Sequence, residues 1–158
     1  MFRELIRKKQ QLSHEECIEI LKNEMRGVLS VQGDDGYPYG LPIDHWYNEE
    51  NGKLYFHSGK TGHKIDALKR CDKVSFCAYD QGTRREGEWA LNIKSVVAFG
   101  RVKLIEEKET VVDICRKLSY KYTQDSAYIE EEISKYAAGT ILLEMTIEHL
   151  TGKTVNEA

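Results

Sequence analysis

Hydrophobic residues recur along this chain with two spacings, which together predict a sheet with helices around it. Apolar residues three or four apart predict helices over residues 14–26, 63–70, 106–122 and 125–137. Apolar runs bounded by turn residues predict six strands, at 28–32, 37–47, 53–58, 73–79, 90–105 and 140–148. Because the strands follow one another without regular alternation with helices, the pattern favours an antiparallel barrel with peripheral helices over a doubly wound fold.

Local signals set several of these boundaries. Ser13 and Glu16 have the spacing of a capping box, and Gly27 is expected to end the helix that they begin. Pro38 and Pro42 are the only two prolines. Each lacks a backbone N–H, so their strand is expected at an edge of the sheet, at a bulge or in an interrupted ladder.

Length and charge narrow the class of protein. The 158 residues suit a single domain, with residues 1–12 as an N-terminal extension and 154–158 as a polar tail. The net charge is −3 and the basic residues are scattered among acids, which argues against nucleic acid as a partner. No apolar run approaches the ~20 residues that span a bilayer. With no export signal visible, we expect a cytoplasmic protein that does not bind membranes.

The cysteines and histidines do not form a recognisable metal motif. The four cysteines contain no C-x-x-C pair, which predicts reduced, unpaired thiols in the cytoplasm. His57, His63, Cys71 and Cys77 are close in sequence, but their gaps match no usual zinc spacing. We therefore expect no metal site.

One segment combines the features of an anion site. Gly59 and Gly62 allow a tight turn between a strand and a helix, and a helix N-terminus offers unpaired N–H groups and the positive end of the helix dipole. Hydroxyl and basic side chains surround this turn: Ser58, Lys60, Thr61, His63 and Lys64. The segment suits a phosphate group. Its glycine spacing differs from that of a Walker loop, and a plain turn with solvated lysines is the alternative.

A second candidate segment covers residues 36–43. It holds two tyrosines, two glycines and two prolines. Glycine permits close approach of the backbone to a flat ligand, so the segment could form one wall of a binding site. The alternative is a bulged edge strand without a ligand.

Four stretches of the sequence resemble motifs of one family when they are read in order. They are DGYPYGLP at 35–42, LYFHS followed by GHK within 54–64, SVVAFGR at 95–101 and IEHLTGK at 147–153. These stretches resemble the pyridoxamine 5′-phosphate oxidase-like FMN-binding split-barrel family, in its NimA-like 5-nitroimidazole-resistance branch. The resemblance implies a six-stranded antiparallel split barrel, a homodimer, and FMN in the cleft between the subunits.

The resemblance also implies roles for individual residues. Ser58 and Lys64 match positions that hold the FMN phosphate, and His63 stands where many relatives have arginine or lysine. His57 matches a position beside the phosphate and the ribityl chain, and Ser95 one near the phosphate. The strand that lines the isoalloxazine ring, largely through its backbone, corresponds to Tyr39, Leu41, Pro42 and Ile43. The C-terminal segment that approaches the partner's cofactor corresponds to Thr151, Gly152 and Lys153.

The function implied is that of an FMN-dependent oxidoreductase acting on small, flat acceptors, of which nitroimidazoles are one class. No residue is assigned as an acid–base catalyst, although Tyr39 and His57 are candidate donors near the ring. The chain lacks the arginine-rich strand and C-terminal Trp–Arg pair of the pyridoxamine phosphate oxidases proper, so that reaction is not implied. The alternative is a non-catalytic protein that binds or stores FMN, haem or a deazaflavin.

Overall fold

The structure, a computed structural model, describes residues 1–156. Its strands are β1 (Arg26–Gln32), β2 (Pro38–Asp44), β3 (Trp46–Asn48), β4 (Lys53–Gly59), β5 (Lys73–Tyr79), β6 (Asn92–Ile105) and β7 (Thr140–Asn156). Its helices are α1 (His14–Asn23), α2 (His63–Arg70), α3 (Lys108–Tyr122) and α4 (Ser126–Tyr136). Short 3₁₀ turns cover Lys8–Gln10, Asp34–Gly36 and Ala137–Gly139.

All strand pairs are antiparallel, in the order β2-β1-β5-β6-β7-β4-β3. The sheet curls into a half-barrel with the helices at its periphery, which confirms the split-barrel class. The strand count is seven rather than six. The predicted strand 37–47 was wrong as one element because it divides at His45, where the Tyr122 hydroxyl and the Lys121 ammonium bind the backbone in place of a strand partner.

Two further boundaries differ from the sequence prediction. Helix α1 ends at Asn23, not at Gly27, and Gly27 lies inside β1. A Cβ at Gly27 would lie 2.2 Å from the ring of Phe76, so glycine is required there for close packing rather than for ending a helix. Strand β7 is also longer than the predicted 140–148, because it pairs with β6 as far as Asn156, so residues 154–156 of the expected polar tail lie in the sheet. Residues 157 and 158 lie outside the described part of the chain.

The prediction for the prolines is confirmed. Strand β2 is an edge strand, with Pro38 opposite Gln32 and Pro42 opposite Val28 of β1. The turn between the two strands places Asp35 and Gly36 at positive φ, at 56° and 79°. Proline is tolerated at an edge because its missing N–H leaves no interior ladder position unpaired.

The N-terminal extension is attached to the sheet rather than free. Leu12 is 7% exposed and belongs to the main core, and its N–H donates to the Gly152 carbonyl at 2.9 Å. The Phe2 ring stacks on His149 of β7, with ring centroids 5.0 Å apart. The exposed basic residues of this segment pair only locally, as in the Lys8–Glu4 ion pair at the surface.

The sheet has a core side and an outer side. On the core side, α1 and α2 bury their apolar residues against side chains such as Leu29, Phe56 and Phe76. On the outer side, α3 covers Tyr55 and Leu142 in a second, smaller cluster. Side chains along a strand alternate between the two sides of the sheet. The outer side of β1, β5 and β6 therefore carries a second set of side chains, separate from the cluster beneath α3.

We call this second set the open face and define it by Val28, Ser75, Cys77, Val97 and Phe99. The strand register pairs Val28 with Cys77, Cys77 with Val97 and Ser75 with Phe99, so these side chains are neighbours on one surface. Val28 is 36% exposed and Phe99 38% exposed. Within residues 1–156, the helices bury their apolar faces elsewhere. The Phe2 ring lies against one edge of this surface, with its centroid 5.4 Å from that of Phe99, and no helix covers the rest.

Candidate functional site

The predicted anion site has the expected backbone arrangement. Strand β4 ends at Gly59, and α2 begins at His63 after Gly62, which has φ of 127°. No side chain within residues 1–156 caps this helix N-terminus, so its first N–H groups and the positive end of its dipole are available to an anion. The turn therefore has the geometry that its glycines indicate.

The side chains around this turn differ in how accessible they are. Lys60 and Thr61 are exposed, whereas Ser58 and Lys64 are half-buried. Burial lowers the pKa of Lys64. A half-buried ammonium has lost part of its hydration, so an anion that reaches it gains more than it would from an exposed lysine.

His63 has protein partners of its own. Its ring stacks on Tyr39, with centroids 4.2 Å apart and planes at 20°. Its Nε2 lies 3.7 Å from the Asp34 carboxylate, which Arg70 also binds at 2.8 Å. His63 therefore connects α2 to β2 and brings Tyr39 close to the anion site, so its predicted contact with phosphate has to compete with these interactions.

The other predicted residues of β2 lie beside Tyr39. Tyr39, Leu41 and Ile43 share one side of the strand and are half-buried, and Tyr39 and Ile43 pack against the core. Pro42 is exposed on the opposite side. Because β2 is an edge strand, the backbone groups along its free edge have no strand partner within residues 1–156.

His57 and Ser58 are neighbours in β4 but lie on opposite sides of the sheet. His57 is directly opposite Leu142, on the side that faces α3, and Ser58 is opposite Ile141 of the core. Burial lowers the pKa of His57; Asp44 acts in the opposite direction and Lys64 adds to the lowering. The lowered pKa disfavours the charged imidazolium form of His57, and both charged groups lie close to it.

His57 lines a cavity of about 350 Å³ that sequence reasoning missed. The cavity lies between β4 and the helices α3 and α4. Its lining includes apolar Leu118, Ile129 and Ile133, the aromatic side chains of Tyr122, Tyr128 and Tyr136, and two carboxylates, Asp44 and Glu132. The signal that could have revealed it is the i, i+4, i+8 spacing of Tyr128, Glu132 and Tyr136, which places them on one face of α4.

The remaining predicted residues form a separate group on β6 and β7. Ser95 is directly opposite Lys153, and Gly152 is opposite Val96. Strand β7 begins at Thr140, opposite Gly59 at the anion site, and Thr151 lies eleven residues further on. At about 3.3 Å per residue, the two groups are about 36 Å apart along β7. One chain alone does not bring them together.

Gly152 has a packing role that its sequence motif does not reveal. A Cβ at this position would lie 2.6 Å from the Cys17 sulfur of α1 and 3.0 Å from the Ser95 carbonyl. Its own carbonyl accepts the Leu12 N–H. The glycine thus allows α1 and the N-terminal segment to pack against β7, while Lys153 stays exposed.

Within residues 1–156, no group of three or more histidine, cysteine, aspartate or glutamate side chains could hold a metal ion. All four cysteines are free thiols; Cys17 is buried, and the other three are half-buried. None of the helices in this part of the chain has the length and apolar character needed to cross a membrane.

Known structures share this fold. A candidate 5-nitroimidazole antibiotic resistance protein from Bacteroides thetaiotaomicron is 20% identical with a TM-score of 0.78; the match covers 92% of this chain and 87% of that one. A FAD-binding protein from Mesorhizobium loti is 24% identical with a TM-score of 0.65, covering 92% and 97%. A FAD- and haem-binding protein from Mycobacterium smegmatis is 18% identical with a TM-score of 0.73, covering 94% and 74%.

No curated protein matches the chain. Because the sequence identity to these solved structures is low, the structures establish the fold and nothing more specific. The sequence model described as pyridoxamine 5′-phosphate oxidase matches residues 13–154, which is nearly the whole chain. The protein therefore belongs to the pyridoxamine 5′-phosphate oxidase family.

Proposed function

We propose that this protein binds FMN at the interface of a homodimer and acts with it as a cytoplasmic oxidoreductase of small, flat acceptors such as nitroimidazoles. The observation that carries the proposal is the separation of the predicted cofactor residues into two groups along β7. Residues around 57–64 and residues around 151–153 are too far apart in one chain to hold one ligand. A second subunit is the simplest way to join them.

The residues of the anion site fit an FMN phosphate. The free N–H groups of α2 and the Lys64 ammonium offer charge-assisted hydrogen bonds, and Ser58 and Lys60 precede the helix in the same strand-to-helix connection. The edge strand β2 offers backbone groups and the Tyr39 side chain to a flat ring. FMN, when bound, would supply the electron transfer, while the protein orients it and excludes water.

The open face supports the homodimer. Its centre consists of the five small or apolar side chains that define the open face, and none of them carries a charge. Charged residues surround this centre, among them Lys73, Arg101 and Lys153. An apolar centre with a polar rim is the usual composition of a protein–protein interface.

The relatives favour a flavin in general rather than one activity. Solved structures with this fold include proteins described as binding FAD, or FAD and haem. The haem-binding neighbour gives weight to a second candidate function, a non-catalytic protein that binds or stores FMN, haem or a deazaflavin in the same cleft. The anion site suits a phosphate and so favours a phosphorylated cofactor such as FMN over haem, while turnover of an acceptor distinguishes an oxidoreductase from a protein that only binds FMN.

The absorption spectrum of freshly purified protein, together with its mass in solution, tests the proposal. We expect flavin bands at one FMN per chain and a mass of twice 18.2 kDa. Anaerobic mixing of the reduced protein with a nitroimidazole should then reoxidise the flavin. A bound flavin without reoxidation would leave the binding function alone, a Soret band would favour the haem alternative, and a monomer without a chromophore would overturn the proposal.

A further inference from the structure

We propose that the cavity between β4, α3 and α4 binds the acceptor molecule and selects flat aromatic compounds that carry a positive charge. The cavity volume of about 350 Å³ is within the usual range of small-molecule sites. Apolar and aromatic side chains make up more than half of its lining residues, beside polar ones such as His57, Ser119 and Glu132, and such a mixture is typical of these sites. The assignment of the ligand as the acceptor rests on the proposed flavin function.

The charges of the cavity determine which ligands it accepts. Glu132 is half-buried in the lining and has no ion pair or hydrogen bond within residues 1–156. Asp44 also lines the cavity and is paired with Arg26 at 3.0 Å. No lysine or arginine belongs to the lining. The Glu132 carboxylate therefore lacks a cationic partner, and a ligand with a positive group would supply one.

The aromatic side chains favour the same kind of ligand. Tyr128 and Tyr136 lie one helical turn before and after Glu132 on the same face of α4, and Tyr122 contributes from α3. Tyrosine rings attract cations through their faces and stack on flat rings. An anionic ligand would be repelled by the Glu132 carboxylate and would gain no cation–π attraction from these rings.

His57 connects the cavity to the proposed flavin site. It lines the cavity and lies close enough to Lys64 for the lysine to affect its pKa. Its lowered pKa disfavours the positively charged form, so His57 adds little attraction for an anion. A ligand in the cavity would therefore lie on the α3 side of β4, next to His57, which is itself one of the residues expected to hold the cofactor.

Three matched probes test the selectivity: 4-nitrobenzylamine as a cation, 4-nitrobenzyl alcohol as a neutral molecule and 4-nitrobenzoate as an anion. Calorimetric titration of the purified protein at pH 7 measures each affinity without any turnover. We expect the amine to bind about tenfold more tightly than the alcohol, and the benzoate to bind most weakly. Glu132→Gln should remove the preference for the amine and leave the affinity of the alcohol unchanged.

Glu131→Gln is the matched control. Glu131 is the preceding residue in α4, is exposed and pairs with Lys135 at 2.7 Å, so this variant removes the same charge outside the cavity. The inference would be overturned by any of three results: equal affinities for the three probes, no binding of any probe, or equal effects of the two variants. If the protein bound the probes in a Glu132-dependent way but contained no flavin, the pocket would be supported and the proposed function contradicted. If the flavin turned over all three probes and Glu132→Gln had no effect, the proposed function would be supported and the pocket contradicted.

Discussion

The two halves of the outer side of this sheet differ in how far the chain itself covers them. Over β3, β4 and the first part of β7, helix α3 buries Tyr55 and Leu142, which are 3% and 0% exposed. Over β1, β5 and β6, residues of the same alternating pattern stay accessible, with Phe99 at 38%. The first half is covered by the chain itself, and the second is the surface that we propose binds a partner subunit.

This difference shows that the burial of a strand residue cannot be read from its own strand alone. Leu142 and Val97 are both aliphatic and both point to the outer side of the sheet. Substitutions at the two positions should therefore affect two separate properties, the stability of the subunit and the association of subunits. The predictions below test that separation.

The largest effect is expected from a charge in the open face. Val97→Glu would bury an unpaired carboxylate in the proposed interface, at a cost of about 3–5 kcal/mol to association. We expect a monomer in sedimentation analysis and loss of bound flavin, with the fold retained. Ala138→Glu places the same charge at an exposed position after α4 and should leave the dimer intact. A dimeric Val97→Glu protein would show that the interface is elsewhere.

The next largest effect is expected in the half of the outer side that α3 covers. Leu142→Ala removes a fully buried side chain beneath α3 and should lower the free energy of unfolding by about 2–5 kcal/mol, measured by urea denaturation. Val112→Ala changes a half-buried neighbour in α3 and should cost much less. If Leu142→Ala impaired association more than stability, the two halves would not be separate.

A third prediction concerns the anion site. Lys64→Ala removes a half-buried ammonium, worth about 1.5–3 kcal/mol in a charge-assisted contact, so FMN affinity should fall about ten- to a hundredfold. The dimer should persist, in contrast to Val97→Glu. Lys69→Ala removes an exposed charge from the last turn of the same helix and should have little effect. Unchanged affinity in Lys64→Ala would mean that the phosphate binds elsewhere.

The smallest effect is expected at the junction of the two halves, where His45 separates β2 from β3. The side chain is fully buried, its Nε2 lies 2.8 Å from the Leu21 carbonyl, and burial together with nearby Lys121 lowers its pKa to about 3. The unfolded chain takes up a proton at about 6.5 and the folded chain only near 3. Stability is therefore complete above about pH 6.5 and falls as pH decreases toward 3, by ~2 kcal/mol at pH 5.

Urea denaturation between pH 7.5 and 5 measures this loss. His45→Gln keeps a donor for the Leu21 carbonyl but does not titrate, so its stability should depend less steeply on pH. The difference between the two proteins isolates His45 from the other histidines. Parallel profiles for the two proteins would show that His45 is protonated as easily in the folded chain as in the unfolded one.

The sequence predicted local features well where one strong signal acted alone. The capping box at Ser13 and Glu16 forms as expected, and the helix at 63–70 has its predicted bounds. The edge position of β2 followed from the missing N–H groups of Pro38 and Pro42. In each case the cause lies in the residues themselves, within a few positions of the feature.

Features that depend on distant contacts were missed. The break at His45 comes from Lys121 and Tyr122, more than 70 residues away, and no local pattern indicates it. Gly27 and Gly152 are fixed by Phe76 and Cys17, which the topology alone brings close. The cavity depends on how α4 packs beside β4. For the same reason, the sequence predicted an anion site at residues 58–64 but not the distance between the two groups of predicted cofactor residues along β7.

The length of β7 has a genetic consequence. In the proposed homodimer, each site takes Lys64 from one subunit and Lys153 from the other. A Lys64→Ala chain paired with a Lys153→Ala chain would then hold both defects in one site and none in the other. Two alleles that are each inactive would complement one another, and the mixed dimer would bind one flavin where neither parent binds any firmly.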